Sequence, residues 1–224
     1  MTYETNELGG WIVPDGTTLP PGAVVPSYSY IGDYCTIGYR CTIGDGCTIG
    51  DGCSIGDGCS IGDGCTIGNY CTIGNDCSIG DGCSIGNGCS IGDGCSIGDG
   101  CTIGNYYTIG NGCSIGNDCS IGDGCSIGDG CTIGNDCSIG DGCSIGDGCT
   151  WLGVQVSKWL TLANVDGSGR QLKVVVAVDG SVKVEAGCFV GTADEFCDRA
   201  KDEGKGTYVA VVRAVVQALT TSEE

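Results

Sequence analysis

The chain has 224 residues, of which 45 are glycine and 21 are cysteine, and it contains no histidine. Glycine far exceeds its usual share of about 7%, but there is no G-X-Y period, and four prolines are too few for a proline-rich disordered chain. The net charge of −19 argues against a nucleic-acid or anionic-membrane partner.

Residues 1–12 are expected to form an N-terminal cap, in which Trp11 can cover the first coil of the repeat that follows. Met1–Gly10 is too polar for a signal peptide, and no apolar run reaches the roughly 18 residues of a membrane span. We therefore expect a cytoplasmic or virion-associated protein.

Residues 13–150 are built from hexads. From Ile31 to Thr150, twenty consecutive hexads of the form I-G-D-G-C-S run without an insertion, and three degenerate hexads over residues 13–30 extend the frame. Isoleucine and cysteine lie two positions apart, so both point to one face of a short strand, and the serine or threonine between them points outward. Isoleucine and thiol therefore fill the interior, while G-D-G turns a corner with positive φ at its second glycine.

This pattern resembles the hexapeptide-repeat, left-handed parallel β-helix family. The resemblance implies three hexads per triangular coil, and hence an all-β solenoid of about 7–8 coils over residues 13–150. Acyltransferases and carbonic anhydrases of that family use histidines, which this sequence lacks. We therefore expect no enzymatic activity, no catalytic residue and no cofactor.

Seven corners carry a larger residue at the fourth position of the hexad. Asparagine precedes five of these residues and tolerates the left-handed region well, so the strained position is expected to move back to it. Three tyrosines recur every two coils and are expected to share one corner, where their rings form an aromatic ladder that covers the glycines between them: Tyr34, Tyr70 and Tyr106. A stacking site for a ligand is the alternative.

Nineteen cysteines occupy the fifth position of the hexads, and Tyr107 replaces the one that is missing. In-register stacking points successive Cβ atoms the same way, which disfavours disulfides although the coil spacing would permit them. Such columns also do not bring four thiolates together around zinc. We expect reduced, buried thiols and no metal in the bore, with some oxidised rungs as the alternative.

The acidic corners and the outward hydroxyl groups are the candidate binding surfaces. Calcium prefers oxygen ligands, so a divalent cation could bind at the corners; the simpler interpretation is that aspartate forms turns and keeps the protein soluble. The calcium candidates are Asp51, Asp57, Asp63, Asp81, Asp93 and Asp99. A flat column formed by Thr36, Ser54, Thr72, Ser90 and Thr108 resembles the ice-binding faces of some insect antifreeze proteins, although the second threonine of their Thr-x-Thr ranks is missing.

Residues 151–224 have ordinary composition and are expected to form a small ββαα domain that caps the solenoid or joins copies into a homo-oligomer. Extended segments are predicted at Trp151–Leu162, Leu172–Val178 and Ser181–Glu185, with turns at Asp166–Gly169 and Asp179–Gly180. A capping box at Thr192–Glu195 opens a helix that ends at Gly204, and a second helix, Thr207–Leu219, is apolar nearly all round and is expected to be buried. Val182–Phe196 resembles a domain that accompanies repeats in some phage and bacterial proteins.

These observations favour a non-enzymatic structural or assembly solenoid, such as a spacer, fibre or scaffold module of cellular or phage origin. Ice binding through the serine and threonine column is the first alternative. Divalent-cation binding along the aspartate corners is the second.

Overall fold

The computed structural model describes residues 3–140, 142–163, 165, 171–186 and 189–221. The chain divides into two compact units, Met1–Gly146 and Asp147–Glu224, which are considered separately below. The predicted turn at Asp166–Gly169 lies outside the described residues.

The first unit is a parallel β-helix of about eight turns with three faces. Nearly all of its strands are two residues long and pair in register with the strand 18 residues away. The first face comprises Glu4–Thr5, Trp11–Val13, Tyr30–Ile31, Thr48–Ile49, Thr66–Ile67, Ser84–Ile85, Thr102–Ile103, Ser120–Ile121 and Ser138–Ile139. The second comprises Thr18–Leu19, Thr36–Ile37, Ser54–Ile55, Thr72–Ile73, Ser90–Ile91, Thr108–Ile109, Ser126–Ile127 and Ser144–Ile145. The third comprises Val24–Val25, Thr42–Ile43, Ser60–Ile61, Ser78–Ile79, Ser96–Ile97, Ser114–Ile115 and Thr132–Ile133.

Each hexad position has one physical role. The isoleucine side chains and the fifth-position thiols point inward and are almost all buried, while the serine or threonine between them faces solvent, as predicted. The second-position glycine lies where successive coils are closest. A Cβ atom on Gly80 would lie 2.7 Å from the backbone nitrogen of Asp63, so a side chain cannot fit there without moving the backbone.

Positive φ falls at the fourth position of the hexad, whatever residue occupies it. Gly82 has a φ of +63°, and the non-glycine residues keep nearly the same value: +55° at Tyr34 and +54° at Asp76. The expectation that the strain would move back to the preceding asparagine is therefore wrong. The corner is fixed by a backbone hydrogen bond from the fourth-position N–H to a carbonyl of the next coil, such as Tyr34 to Asp51 at 2.8 Å.

The chain enters the solenoid through a short hairpin. Glu4–Thr5 pairs antiparallel with Trp11–Val13, which in turn pairs parallel with Tyr30–Ile31. The Trp11 ring packs on Tyr3 with ring centroids 5.2 Å apart. The hairpin therefore covers part of the edge that a first coil would otherwise leave open, which is how solenoids avoid uncontrolled stacking.

The second unit is a small α+β fold. Thr150–Trp151 pairs with the start of Val154–Ala163, and the antiparallel strands Val154–Ala163, Gln171–Ala177, Val182–Ala186 and Phe189–Thr192 then pair in chain order. Two helices follow, α1 (Ala193–Asp202) and α2 (Gly206–Thr220). The Phe189–Thr192 strand was not predicted, because it is short and contains a glycine.

The helices follow from their end signals and from their apolar faces. Thr192 and Glu195 form the predicted capping box at the start of α1, and Gly204, with a φ of +69°, follows its end. Val209, Val212 and Val215 of α2 pack with Leu172 and Val174 of the sheet, so this unit has its own core. Among the described residues, neither helix is long and apolar enough to cross a membrane.

Candidate functional site

The thiol columns occupy the interior of the solenoid. Each thiol donates a weak hydrogen bond to a carbonyl of the preceding coil, as from Cys65 Sγ to Gly44 O at 3.2 Å, and several also accept a backbone N–H. Among the described residues, no disulfide joins the cysteines of these columns. Within the first unit, the first column contains Cys35, Cys53, Cys71, Cys89, Cys125 and Cys143; the second contains Cys41, Cys59, Cys77, Cys95, Cys113 and Cys131; the third contains Cys47, Cys65, Cys83, Cys101, Cys119 and Cys137. The nineteenth hexad cysteine, Cys149, belongs to the second unit.

The pKa values of the column thiols are shifted in both directions: hydrogen bonds from neighbouring thiols lower the pKa of Cys47 and Cys53, whereas burial favours the protonated form of three others. Burial is the main cause that raises the pKa of Cys59 and of Cys125 from 9.0 to about 11, and it also raises the pKa of Cys35. A catalytic thiolate needs an environment that lowers its pKa, usually with a positive neighbour. These three cysteines have the opposite environment and are suited to the core.

Tyr107 interrupts the first column. Its side chain is 1% exposed, and its hydroxyl has no hydrogen-bond partner among the described residues. Burial also raises the pKa of this phenol strongly, so it stays neutral. The ring replaces a thiol between Cys89 and Cys125 and separates the first column into two runs.

The acidic corners form hydrogen-bonded ladders along the solenoid. From Asp33 to Asn117, the Oδ1 atom of the third-position aspartate or asparagine accepts the backbone N–H of the equivalent residue one coil later. Asp81 donates to Asp63 at 2.8 Å, and Asp99 donates to Asp81 at 2.8 Å. Asparagine serves equally well, as between Asn69 and Asn87 at 2.8 Å. This ladder gives a structural reason for an Asx residue at nearly every corner.

The six calcium candidates do not form one site. Asp63, Asp81 and Asp99 follow one another on one corner. Asp57 and Asp93 lie on a second corner with Asn75 between them, and Asp51 lies on the third. In each of these aspartates, one carboxylate oxygen already accepts a backbone hydrogen bond of the ladder. Among the described residues, no group of three or more histidine, cysteine, aspartate or glutamate side chains is arranged to hold a metal ion.

The hydroxyl column occupies the second face in the order that the sequence predicts. Thr36, Ser54, Thr72, Ser90 and Thr108 are exposed and lie in register on successive coils. The next outward position is the second-position glycine. A Cβ on Gly74 would lie 2.7 Å from the backbone nitrogen of Asp57, so the second threonine of a Thr-x-Thr rank has no room.

The tyrosine corner has the geometry of a glycine cover. A Cβ on Gly52 would lie 2.7 Å from a ring carbon of Tyr34, and Gly88 and Gly124 have the same relation to Tyr70 and Tyr106. The three rings lie two coils, or about 9.6 Å, apart, too far to stack on one another. Tyr28 covers Gly46 in the same way and was not singled out from the sequence.

Two further features were missed from the sequence. A groove of about 460 Å³ lies on the first face, lined by glycines such as Gly50 and Gly68, by hydroxyl-bearing residues such as Thr66, and by Asp51 and Asn69. In the sequence, this groove is indicated only by a column of glycines between two columns of polar residues.

The second unit holds a cavity of about 60 Å³, lined by Ala186, Phe189, Phe196, Arg199, Ala200, Glu203, Lys205 and Tyr208.

A buried ion pair also lies in the second unit. Lys173 Nζ donates to Glu185 Oε1 across neighbouring strands, with side-chain exposures of 3% and 7%. The ammonium group lies 5.8 Å from the centroid of the Trp151 ring. In the sequence these two residues are ordinary strand charges, and only the opposite signs at paired positions of the hairpin indicate the contact.

The fold and its surfaces define a class of protein: a repeat scaffold built as a three-faced parallel β-helix. The family model described as bacterial transferase hexapeptide (six repeats) matches residues 40–75, 76–106, 106–139 and 118–150. The chain belongs to the hexapeptide-repeat β-helix family, as its hexads predicted. No curated protein and no solved structure gives a significant match to it.

Proposed function

We propose that this protein is a non-enzymatic spacer, in which a run of solvent-exposed coils separates two attachment regions along the chain. The observation that carries the proposal is the distribution of exposed apolar side chains. They concentrate in the N-terminal segment and first coils and recur in the second unit: Leu8, Ile12, Val24, Tyr28, Tyr30, Tyr34 and Tyr39 in the former, and Leu160, Val178 and Val190 in the latter. Between them, only Tyr70 and Tyr106 of the described residues are large, apolar and exposed.

Exposed apolar side chains in a cluster indicate contact with another protein. The central coils present instead aspartate, asparagine, serine, threonine and glycine, which suit a surface that stays in solvent. The central hexads follow one another with no inserted loop to form a substrate pocket. Attachment through the first coils and through the second unit, with an inert middle, fits a spacer better than it fits a ligand-binding face.

The test is a comparison of variants in the assembly that contains this protein, followed by co-sedimentation of a tagged chain. Deletion of residues 49–84 removes two whole coils in register and should shorten the solenoid by about 9.6 Å. Tyr30→Thr together with Val24→Thr restores the residue type of the neighbouring coils and should release the chain from its assembly. Thr72→Tyr with Thr108→Tyr should leave the assembly intact, because Tyr30 occupies the same outward hexad position on the first face.

Release by the Thr72→Tyr and Thr108→Tyr pair, with retention after the Tyr30 and Val24 changes, would overturn the spacer proposal. Freezing-point hysteresis of the reduced protein provides a second arm. The spacer proposal expects none, since the face has one hydroxyl column instead of two. Hysteresis that disappears in the Thr72→Tyr and Thr108→Tyr variant would establish ice binding in its place.

A further inference from the structure

The thiol columns place sulfur atoms at a regular spacing inside the solenoid. In the third column, Cys65, Cys83 and Cys101 each contact a carbonyl of the preceding coil at 3.2, 3.3 and 3.2 Å. Because each thiol repeats the same contact, successive Sγ atoms are displaced by one coil, or about 4.8 Å. Their side chains are 1% exposed. The column is therefore a dry row of equally spaced thiols.

This spacing suits one kind of coordination. A metal–thiolate bond is about 2.3 Å long, so a metal ion midway between two thiolates in a straight line needs sulfur atoms about 4.6 Å apart. Zinc needs four ligands that converge, which a column does not supply. Soft thiolates select soft metal ions. A soft d10 ion that binds two ligands in a straight line does not need four thiolates to converge on it, and two successive thiols of one column are enough.

We propose that the thiol columns bind soft divalent d10 ions of the mercuric type, each ion held linearly between the sulfur atoms of two successive coils. Two thiols lose their protons to solvent and form two metal–sulfur bonds with one dication, and no electrons are transferred. The product is neutral. Each thiol loses only its weak hydrogen bond to a carbonyl.

Neutrality explains why such a site can lie in a core. An isolated thiolate there would be strongly disfavoured by desolvation, and the same burial raises the pKa of Cys59. Exchange of two protons for one dication leaves no net charge to desolvate. A monovalent ion between two thiolates would leave one negative charge, and so would be bound less well.

The structure also predicts how many ions each column holds. An ion uses two neighbouring thiols, so a run of six thiols in the second or third column should hold about three ions. Tyr107 divides the first column, so an ion cannot bridge Cys89 and Cys125. Binding therefore depends on which thiols are neighbours and not only on how many are present.

The experiment refolds the reduced full-length chain without air or added thiols, with one mercuric ion per two cysteines. The metal content is measured after gel filtration, the coordination by X-ray absorption and the fold by circular dichroism. We expect a folded protein that retains mercury with two sulfur neighbours and has a raised melting temperature. Zinc carried through the same procedure should not be retained.

Two variants with the same number of thiols provide the matched control. Cys47→Ala with Cys65→Ala leaves four consecutive thiols in the third column and should lose about one ion. Cys65→Ala with Cys101→Ala leaves one neighbouring pair and should lose about two ions. Both variants are first shown to fold without metal. Equal losses, three or four sulfur neighbours, or a mercury-loaded chain that stays unfolded would each overturn the proposal.

Discussion

The two units of this molecule bury a core in opposite ways. The solenoid uses strands of two residues, and each coil satisfies its neighbours through the same few contacts: strand pairing, the Asx ladder and the thiol column. The second unit uses strands of up to ten residues and two helices, with its own cluster of varied apolar side chains. In the solenoid, the contribution of a residue to stability is set by its position in the hexad. In the second unit, it is set by the individual contacts of that residue.

The largest single effect is expected in the second unit, at the ion pair between Lys173 and Glu185. Lys173→Met leaves the Glu185 carboxylate buried without its cation, which should destabilise the protein by about 3–5 kcal/mol. The double variant Lys173→Met, Glu185→Leu removes both charges and should be close to wild type in stability. Urea unfolding followed by tryptophan fluorescence measures both, because Trp151 and Trp159 lie in this unit. If Lys173→Met were as stable as the double variant, the Glu185 carboxylate would not be desolvated in the folded protein.

In the solenoid, two glycines of one corner should differ sharply. Gly80→Ala places a Cβ against the backbone of Asp63 and should cost about 3 kcal/mol, the upper part of the range for overpacking. Gly82→Ala has open space but positive φ and should cost about 1–2 kcal/mol. Thermal and urea unfolding of the two variants compare them directly. The reverse order would mean that conformational strain, and not coil-to-coil distance, controls the hexad.

Alkaline pH should weaken the solenoid through Cys59 and Cys125, the two thiols whose pKa burial raises to about 11. Burial raises the pKa of Cys59 and Cys125 from 9.0 to about 11, so below pH 9 both folded and unfolded chains keep these protons and the stability is fully present. Between pH 9 and 11 only the unfolded chain releases them. The free energy of unfolding should then fall by about 1.4 kcal/mol per thiol for each pH unit.

Urea midpoints measured under reducing conditions at pH 8, 9 and 10 check this dependence. Cys59→Ala removes one titrating group and should make the slope shallower, although the variant starts from a lower stability. An unchanged slope in that variant would assign the alkaline loss to other groups.

The periodic part of this chain could be predicted almost residue by residue, and the rest could not. Hexad spacing alone predicted the inward columns, the outward hydroxyl column and the positive φ of the corner glycines, because one local rule is repeated in every coil. It misplaced the positive φ where a larger residue replaces that glycine, because the coil-to-coil hydrogen bond keeps the conformation at the fourth position. It did not show why the second-position glycine is needed, since that depends on the distance between coils. In the second unit the capping box marked α1, but the short Phe189–Thr192 strand and the Lys173–Glu185 pair depend on tertiary contacts that have no local signal.

The smallest expected effect separates charge from hydrogen bonding at the corners. Asp81→Ala removes the acceptor of the Asp99 N–H and should cost about 1 kcal/mol, the usual net worth of one hydrogen bond. Asp81→Asn keeps the acceptor and removes one of four successive carboxylates on that corner, so its stability should equal or slightly exceed that of the wild type. Thermal unfolding at low and high salt compares the two variants. If Asp81→Asn were as unstable as Asp81→Ala, the carboxylate charge itself would be required, and a bound cation at this corner would become the better explanation for the aspartates.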